Sequence, residues 1–508
     1  MGVYAGCGLS RLKTTFREFF SYLRSMYMTL PNHKTKIVCT IGPASNTPEM
    51  LEKMMNAGMN IARLNFSHGE FSDHKTVIEN IRSASMATGK RVAIMGDLPG
   101  PKMRIGKLDE EPFELKAGDI FTLTTEDIRG NRKRVSMSFP RLPQAVKRGD
   151  SLFLNDGIIQ LEVIRVDDND VECRVVVGGE LRSRKGLNLP GIDLGISAFT
   201  ERDHECLKFA MEHGVDAVSQ SFVERAADIE AVRKAAKDLG QEPFIIAKIE
   251  RSGALKHMDQ ILQATDSIMI ARGDLGVEIP IEEMAVVQKN LMEKSVVAGK
   301  PVITATQMLE SMVDHNRPTR AEATDVANAI LDGTDCVMLS GESAMGKFPV
   351  ESVAMLSKIA KATEPHRPGY RRKEAIEKYG RDGNVSFTDL IALSVELTLQ
   401  RATAAAVVVP TVSGATARNV SRFRLPVWVM AVSPRNETCQ SLQFSYGVHP
   451  VCEPEYPHDW NAFSRDLLQS HSLKGDLLVL TEGPSSKNPN ANHRMELIDL
   501  KRIKENDE

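Results

Sequence analysis

The chain predicts an α/β protein built on a closed (β/α)8 barrel, and three observations carry that expectation. Apolar runs start near Lys36, Asn60, Val92, Asp216, Phe244, Ser267, Pro301 and Asp335, and six of their seven intervals lie between 23 and 34 residues. One strand-plus-helix unit takes about 30 residues. Eight such units close a barrel. The runs are apolar along their whole length rather than alternating, as strands covered on both faces are. They end in polar and charged residues, and the carboxyl ends of barrel strands are where active sites lie.

The long interval, from Val92 to Asp216, marks an insertion after the third strand. Residues 99–184 hold short alternating runs such as Ile120-Phe-Thr-Leu, Ser151-Leu-Phe-Leu and Val171-Glu-Cys-Arg-Val-Val-Val. Asn155-Asp-Gly157 and Gly178-Gly179 punctuate them, so this stretch reads as a small antiparallel β-barrel lid. The barrel is then expected over 28–98 and 185–363. Beyond a break with Pro365, Pro368 and Arg371-Arg-Lys, apolar runs return at Ala404, Val427 and Asp476. Residues 364–508 therefore read as a separate open α/β domain.

Composition narrows the class. Hydrophobic residues make up 42% and charged residues 26%, with a net charge of -3. That balance speaks against a nucleic-acid binder. No run of about 18 apolar residues predicts a membrane span. The seven cysteines are scattered without zinc or disulfide spacing, as in a reducing cytoplasm. Residues 1–27 carry Arg11, Lys13, Arg17 and Arg24 against Glu18 alone. They read either as an amphipathic extension or as a segment upstream of a start at Met28.

The strand tips supply the chemistry. The second gives Arg63, Asn65, Ser67 and His68; the third gives Asp97, then Lys102 and Arg104. The fifth gives Lys248 and Glu250, the sixth Arg272, Gly273 and Asp274, and the seventh Thr304 and Thr306. Two carboxylates, Glu250 and Asp274, suit Mg²⁺, which takes its remaining oxygens from substrate and water. Arg63, Arg104 and Lys248 suit a transferring phosphoryl group, whose transfer needs positioning and charge neutralisation. No P-loop and no Gly-rich kinase loop is present.

Several stretches are distinctive together: Cys39-Thr-Ile-Gly-Pro-Ala-Ser45, Asn60-Ile-Ala-Arg-Leu-Asn-Phe-Ser-His68, Lys185-Gly-Leu-Asn-Leu-Pro-Gly191, Lys248-Ile-Glu250, Ala271-Arg-Gly-Asp-Leu-Gly276, Ala305-Thr-Gln-Met-Leu-Glu-Ser311 and Arg317-Pro-Thr-Arg-Ala-Glu322. In these, and in their order, the chain resembles the pyruvate kinases from about Lys36 to Gly346, and more loosely beyond. The resemblance implies phosphoryl transfer from phosphoenolpyruvate to ADP. It implies that Glu250 and Asp274 hold Mg²⁺ or Mn²⁺, and that Lys248 and Arg63 serve the phosphoryl group. Gly273, Asp274 and Thr306 would bind the substrate carboxylate, with Thr306 near the carbon that is protonated. Asn65, His68, Arg104 and Lys185 would meet the nucleotide.

Asn65, Ser67 and Asp97 match a monovalent-cation site. Here Asp97-Leu-Pro-Gly-Pro-Lys102 places Lys102 where many relatives have an acid. A fixed ammonium can stand in for K⁺, so K⁺ is expected not to be required. In the last domain Thr411, Ser413, Gly414 and Thr416 match an effector-phosphate loop after a strand. The resemblance further implies a phosphorylated effector, a homotetramer and a cytoplasmic enzyme. Two other readings fit two acids at barrel tips: a metal-dependent lyase or aldolase on pyruvate-like enolates, and a non-catalytic metabolite sensor.

Overall fold

The computed structural model describes residues 30–367, 386–484 and 492–504. The expected N-terminal extension, the Arg371-Arg-Lys run and residues 485–491 lie outside the described residues. All eight expected barrel strands form: β1 (Lys36–Thr40), β2 (Ile61–Asn65) and β3 (Ala93–Leu98) precede the insertion. The insertion carries β4 (Phe113–Leu115), β5 (Ile120–Thr124), β6 (Arg134–Ser136), β7 (Ser151–Leu154), β8 (Ile159–Val166), β9 (Asp170–Val177), β10 (Gly179–Leu181) and β11 (Leu187–Asn188). The barrel resumes with β12 (Ala217–Gln220), β13 (Phe244–Ile249), β14 (Ser267–Ala271), β15 (Val302–Ala305) and β16 (Cys336–Leu339). The last domain adds β17 (Ala406–Pro410), β18 (Trp428–Ser433), β19 (Val448–Cys452), β20 (Leu477–Glu482) and β21 (Arg494–Asp499).

The barrel closes in the order β1-β16-β15-β14-β13-β12-β3-β2. Its strands are apolar because both faces are covered: every residue of β1, β3, β14, β15 and β16 is buried. The chain divides into two compact units. One holds the chain up to Gly96, Glu212–Val218 and everything from Met292; the other holds Asp97–Met211 and Ser219–Leu291.

In the second unit the insertion forms a six-stranded sheet, β11-β7-β8-β9-β5-β6, and a β10-β4 ribbon. Pairing is antiparallel except between β5 and β6. One core that includes Phe121, Leu161, Leu115 and Leu181 joins the two sheets, so together they form the expected small β-domain. The Asn155-Asp-Gly157 turn between β7 and β8 has all three residues at positive φ (53°, 56°, 89°), which is why Asn, Asp and Gly occupy it. The segment returning from the insertion is tied to the end of β13. Arg251 donates to the carbonyls of Ile192 at 2.7 Å and Leu189 at 3.4 Å, and pairs with Glu224 at 2.9 Å.

In the first unit the last sheet runs β19-β18-β17-β20-β21, parallel except for β21. The strands β19 and β21 carry no signal comparable to the Ala404, Val427 and Asp476 runs. β19 holds His449 and Pro450, and β21 is a largely exposed edge strand. This sheet is joined to β16 by a buried ion pair. Arg424 meets Asp335 at 2.5 Å, both side chains only 2% exposed, and also donates to the Gly333 carbonyl at 2.7 Å.

Candidate active site

Register and strand ends build the site within the second unit. On β13, Lys248 lies opposite Met269 of β14. Its Nζ reaches Glu250 Oε1 at 2.7 Å, Ser221 Oγ at 2.7 Å and Asp97 at 3.4 Å. The Lys248 side chain is 12% exposed and the Asp97 and Glu250 side chains 3% and 4%, so these charges act with little water between them. Ser219 donates to Asp97 Oδ1 at 2.7 Å, and the Phe222 backbone N–H donates to Glu250 Oε2 at 2.8 Å.

Asp274 lies in the first turn of the helix Arg272–Glu278, directly after β14. Burial pushes its carboxyl up to about 6; the Glu250 charge adds to the rise, and Lys248 and Lys102 oppose it. A buried acid whose ionisation is opposed by a neighbouring carboxylate is eased by a divalent cation. Among the described residues no three His, Cys, Asp or Glu side chains form a ready cage. Two carboxylates with further oxygens from substrate and water are what Mg²⁺ and Mn²⁺ accept, so the residues fit such an ion.

Also in this unit, Arg104 and Lys185 come together where the two connections of the insertion cross. Arg104 bridges to Gly186, donates to the Arg184 carbonyl at 3.0 Å, and Ile105 N–H donates to the Lys185 carbonyl at 2.9 Å. Lys102 is exposed, yet its ammonium is near enough to lower the Asp274 pKa.

The first unit holds the remaining tip residues. Arg63 pairs with Thr40 in register across β1 and β2, and its Nη1 donates to Thr40 Oγ1 at 2.9 Å. Asn65 Oδ1 accepts the Ser67 N–H at 3.1 Å, so the Asn65-Ser67-His68 turn is held by its own side chain. Thr306 follows β15 at φ 67° and Gln307 at φ 51°. Neighbouring non-glycine residues in this region are costly and concentrate at working sites. Thr304, by contrast, is buried and bonded to Thr334 at 3.0 Å; its role is structural, which corrects its reading as a tip residue.

Residues 32–353 match the family model for the pyruvate kinase barrel domain, and residues 389–495 the model for the pyruvate kinase alpha/beta domain. The chain belongs to the pyruvate kinase family. It is 47% identical over 464 residues to the pyruvate kinase of Thermococcus litoralis, covering 90% of this chain and 96% of that protein. With the pyruvate kinase of Thermotoga maritima it is 40% identical, covering 89% and 97%. The crystal structure of a pyruvate kinase from Cryptosporidium parvum superposes with a TM-score of 0.85 at 35% identity, covering 92% of this chain and 96% of that one. The chain is therefore a glycolytic transferase, with phosphoenolpyruvate and ADP as substrates and a divalent metal as the family's requirement. The lyase, aldolase and sensor readings fall away.

Not every pyruvate kinase motif is chemical. In Arg317-Pro-Thr-Arg-Ala-Glu322, Thr319 and Glu322 form a capping box that starts the helix Arg320–Asp332, and Glu322 also accepts the Ser311 N–H at 2.7 Å. In the last domain Gly414 turns at φ 82° and its N–H donates to Thr411 Oγ1 at 2.9 Å. Arg418 donates to the Ser413 carbonyl at 2.8 Å. The Thr411 hydroxyl thus serves the turn itself. Reading the sequence missed Ser219, Ser221 and Phe222. The signal available was a pair of hydroxyls two apart at the end of a buried strand, which places both on one face.

Proposed function

We propose that Lys248 is the catalytic cation and that Glu250 and Asp274 are the metal ligands for phosphoryl transfer from phosphoenolpyruvate to ADP. The observation that carries this reading is the Lys248 ammonium 2.7 Å from Glu250 and nearly shielded from water, with the Asp274 carboxyl raised by burial and further by the Glu250 charge. Mg²⁺ or Mn²⁺, when bound, supplies charge that lowers the cost of electron density building on the substrate oxygens. Lys248 stabilises the phosphoryl group as its bond to the enol oxygen breaks and its bond to a β-phosphate oxygen of ADP forms, and it balances the enolate left behind. Arg63 binds the phosphoryl group. The Gly273 and Asp274 N–H groups, in the first turn of their helix, and the Thr306 hydroxyl hold the carboxylate. The enolate then takes a proton at carbon beside Thr306, giving pyruvate. Asn65, His68, Arg104 and Lys185 bind the nucleotide.

In this reading the Lys102 ammonium takes the part of K⁺ in the site matched by Asn65, Ser67 and Asp97. The support is its favourable effect on Asp274. A coupled assay tests both parts. Pyruvate release should require ADP and a divalent metal. Adding K⁺ should change the rate less than about twofold, because the local charge is already in place. Pyruvate formation without ADP contradicts the reaction, and activation by K⁺ of more than about tenfold contradicts the role of Lys102.

Thr411, Ser413, Gly414 and Thr416 are proposed to bind a phosphorylated effector at this turn, with Thr411 Oγ1 also accepting the Gly414 N–H. A panel of sugar phosphates and nucleotides that leaves phosphoenolpyruvate half-saturation unchanged refutes this.

We also propose a cytoplasmic homotetramer. Among the described residues no helix is long and apolar enough to cross a membrane. Two separate apolar faces are exposed: Phe387, Leu390 and Leu397 on the helix Phe387–Leu399, and Ile281 with Val286. A tetramer built as a dimer of dimers uses two distinct interfaces. Light scattering should give the mass of four chains; a monomer or dimer contradicts it.

A further inference from the structure

We infer that Ser221, with the left-handed corner at Phe222, is the positioning element that keeps Lys248 aimed at the phosphoryl group when Glu250 turns to the metal. The inference rests on the roles proposed above for Lys248 and Glu250. Glu250 has two duties here. Its Oε1 meets Lys248 at 2.7 Å and its Oε2 accepts the Phe222 N–H at 2.8 Å. A carboxylate that takes up a divalent cation holds an ammonium less strongly, because the cation competes for the same oxygen charge. Lys248 must then be oriented by its other partners. Asp97 stands at 3.4 Å, a long contact for a hydrogen bond, whereas Ser221 Oγ stands at 2.7 Å and carries no charge the metal can claim.

The corner is built for this. Ser219 and Ser221 share one face at the end of β12, and Gln220 between them faces away. Gln220 Nε2 donates to the Ala198 carbonyl at 2.8 Å and to the Ser221 carbonyl at 3.0 Å, which pins the backbone from behind. Ser219 in turn orients Asp97. Phe222 sits at φ 60°, a conformation a bulky residue keeps only where its surroundings impose it. The surroundings include Gly100. A Cβ there would lie 2.9 Å from Phe222 Cδ2 and 3.2 Å from Ser221 Cβ, so only glycine lets the two segments meet. Gly100, itself at φ 65°, donates its N–H to Asp203 Oδ1 at 2.8 Å. One corner thereby aims a hydroxyl at Lys248 and an N–H at Glu250. Ser221 is a positioning residue: it acts through Lys248.

The test is steady-state kinetics of Ser221→Ala and Ser221→Thr with phosphoenolpyruvate, ADP and Mg²⁺, together with Mg²⁺ half-saturation and thermal midpoint. Loss of a hydrogen bond to a charged group should lower kcat of Ser221→Ala by about 10- to 100-fold. KM for phosphoenolpyruvate, Mg²⁺ half-saturation and the thermal midpoint should stay near the wild-type values. Ser221→Thr, which keeps the hydroxyl, should recover most of kcat. A Ser221→Ala kcat within about twofold of wild type overturns the inference, since an oriented charge is worth more than that. So does metal affinity falling in step with kcat, or a folded Ser221→Thr as impaired as the alanine variant. A wild-type protein that makes no pyruvate overturns the underlying reading instead.

Discussion

Replacing Lys248 with methionine should lower kcat by about three orders of magnitude or more, because a preorganised charge in a water-poor site contributes heavily to the rate of phosphoryl transfer. Methionine keeps an unbranched stem of similar reach, so the β13 packing survives. What disappears is the ammonium that meets Glu250, Asp97 and Ser221. Metal binding should largely persist, since Glu250 and Asp274 remain. Steady-state rates measured beside a Mn²⁺ titration separate the two effects. A loss of less than about tenfold would sink the role given to Lys248.

The second large effect is on stability. Arg424→Ala should destabilise the protein by about 3–5 kcal/mol, the cost of removing one partner from a buried pair. Asp335 would be left with its charge in a site only 2% exposed, still accepting the Tyr446 N–H at 2.9 Å and the Val302 N–H at 3.0 Å. Arg424 also sits at φ 55°, so alanine inherits an unfavourable backbone without the contacts that hold it. Denaturant unfolding checks this; a change below about 1 kcal/mol would show that the pair contributes little.

The barrel was legible because its signal is redundant: eight apolar runs, each near the length and spacing of a strand–helix unit. The two acidic tips were legible because Glu250 and Asp274 each follow an unmistakable buried strand. The ring of partners around Lys248 was not. Ser219 lies in β12 and Ser221 just after it, and Asp97 reaches Lys248 across 151 positions of chain. Pattern along a sequence cannot report which strand ends become neighbours. The Phe222 corner was hidden for another reason, since nothing in a phenylalanine announces a positive φ. In the last domain β19 carries His449 and Pro450 and β21 is an exposed edge strand, and such strands give weak apolar signals. The Arg317–Glu322 motif was distinctive enough to mark the family, yet it starts a helix.

The most direct measurement is Mn²⁺ binding to the wild-type protein and to Glu250→Gln across pH. As a proposed metal ligand Asp274 must lose its proton to bind, and burial with the Glu250 charge pushes its carboxyl up to about 6. Above pH 7 the acid is ionised and affinity should be flat. Below 6 the proton competes, and apparent affinity should fall by about tenfold per pH unit. Glu250→Gln should weaken binding by about tenfold or more even at neutral pH, because one of two charged ligands is gone. Affinity that ignores pH between about 5 and 7, or that is unchanged in Glu250→Gln, would contradict the account of the metal site.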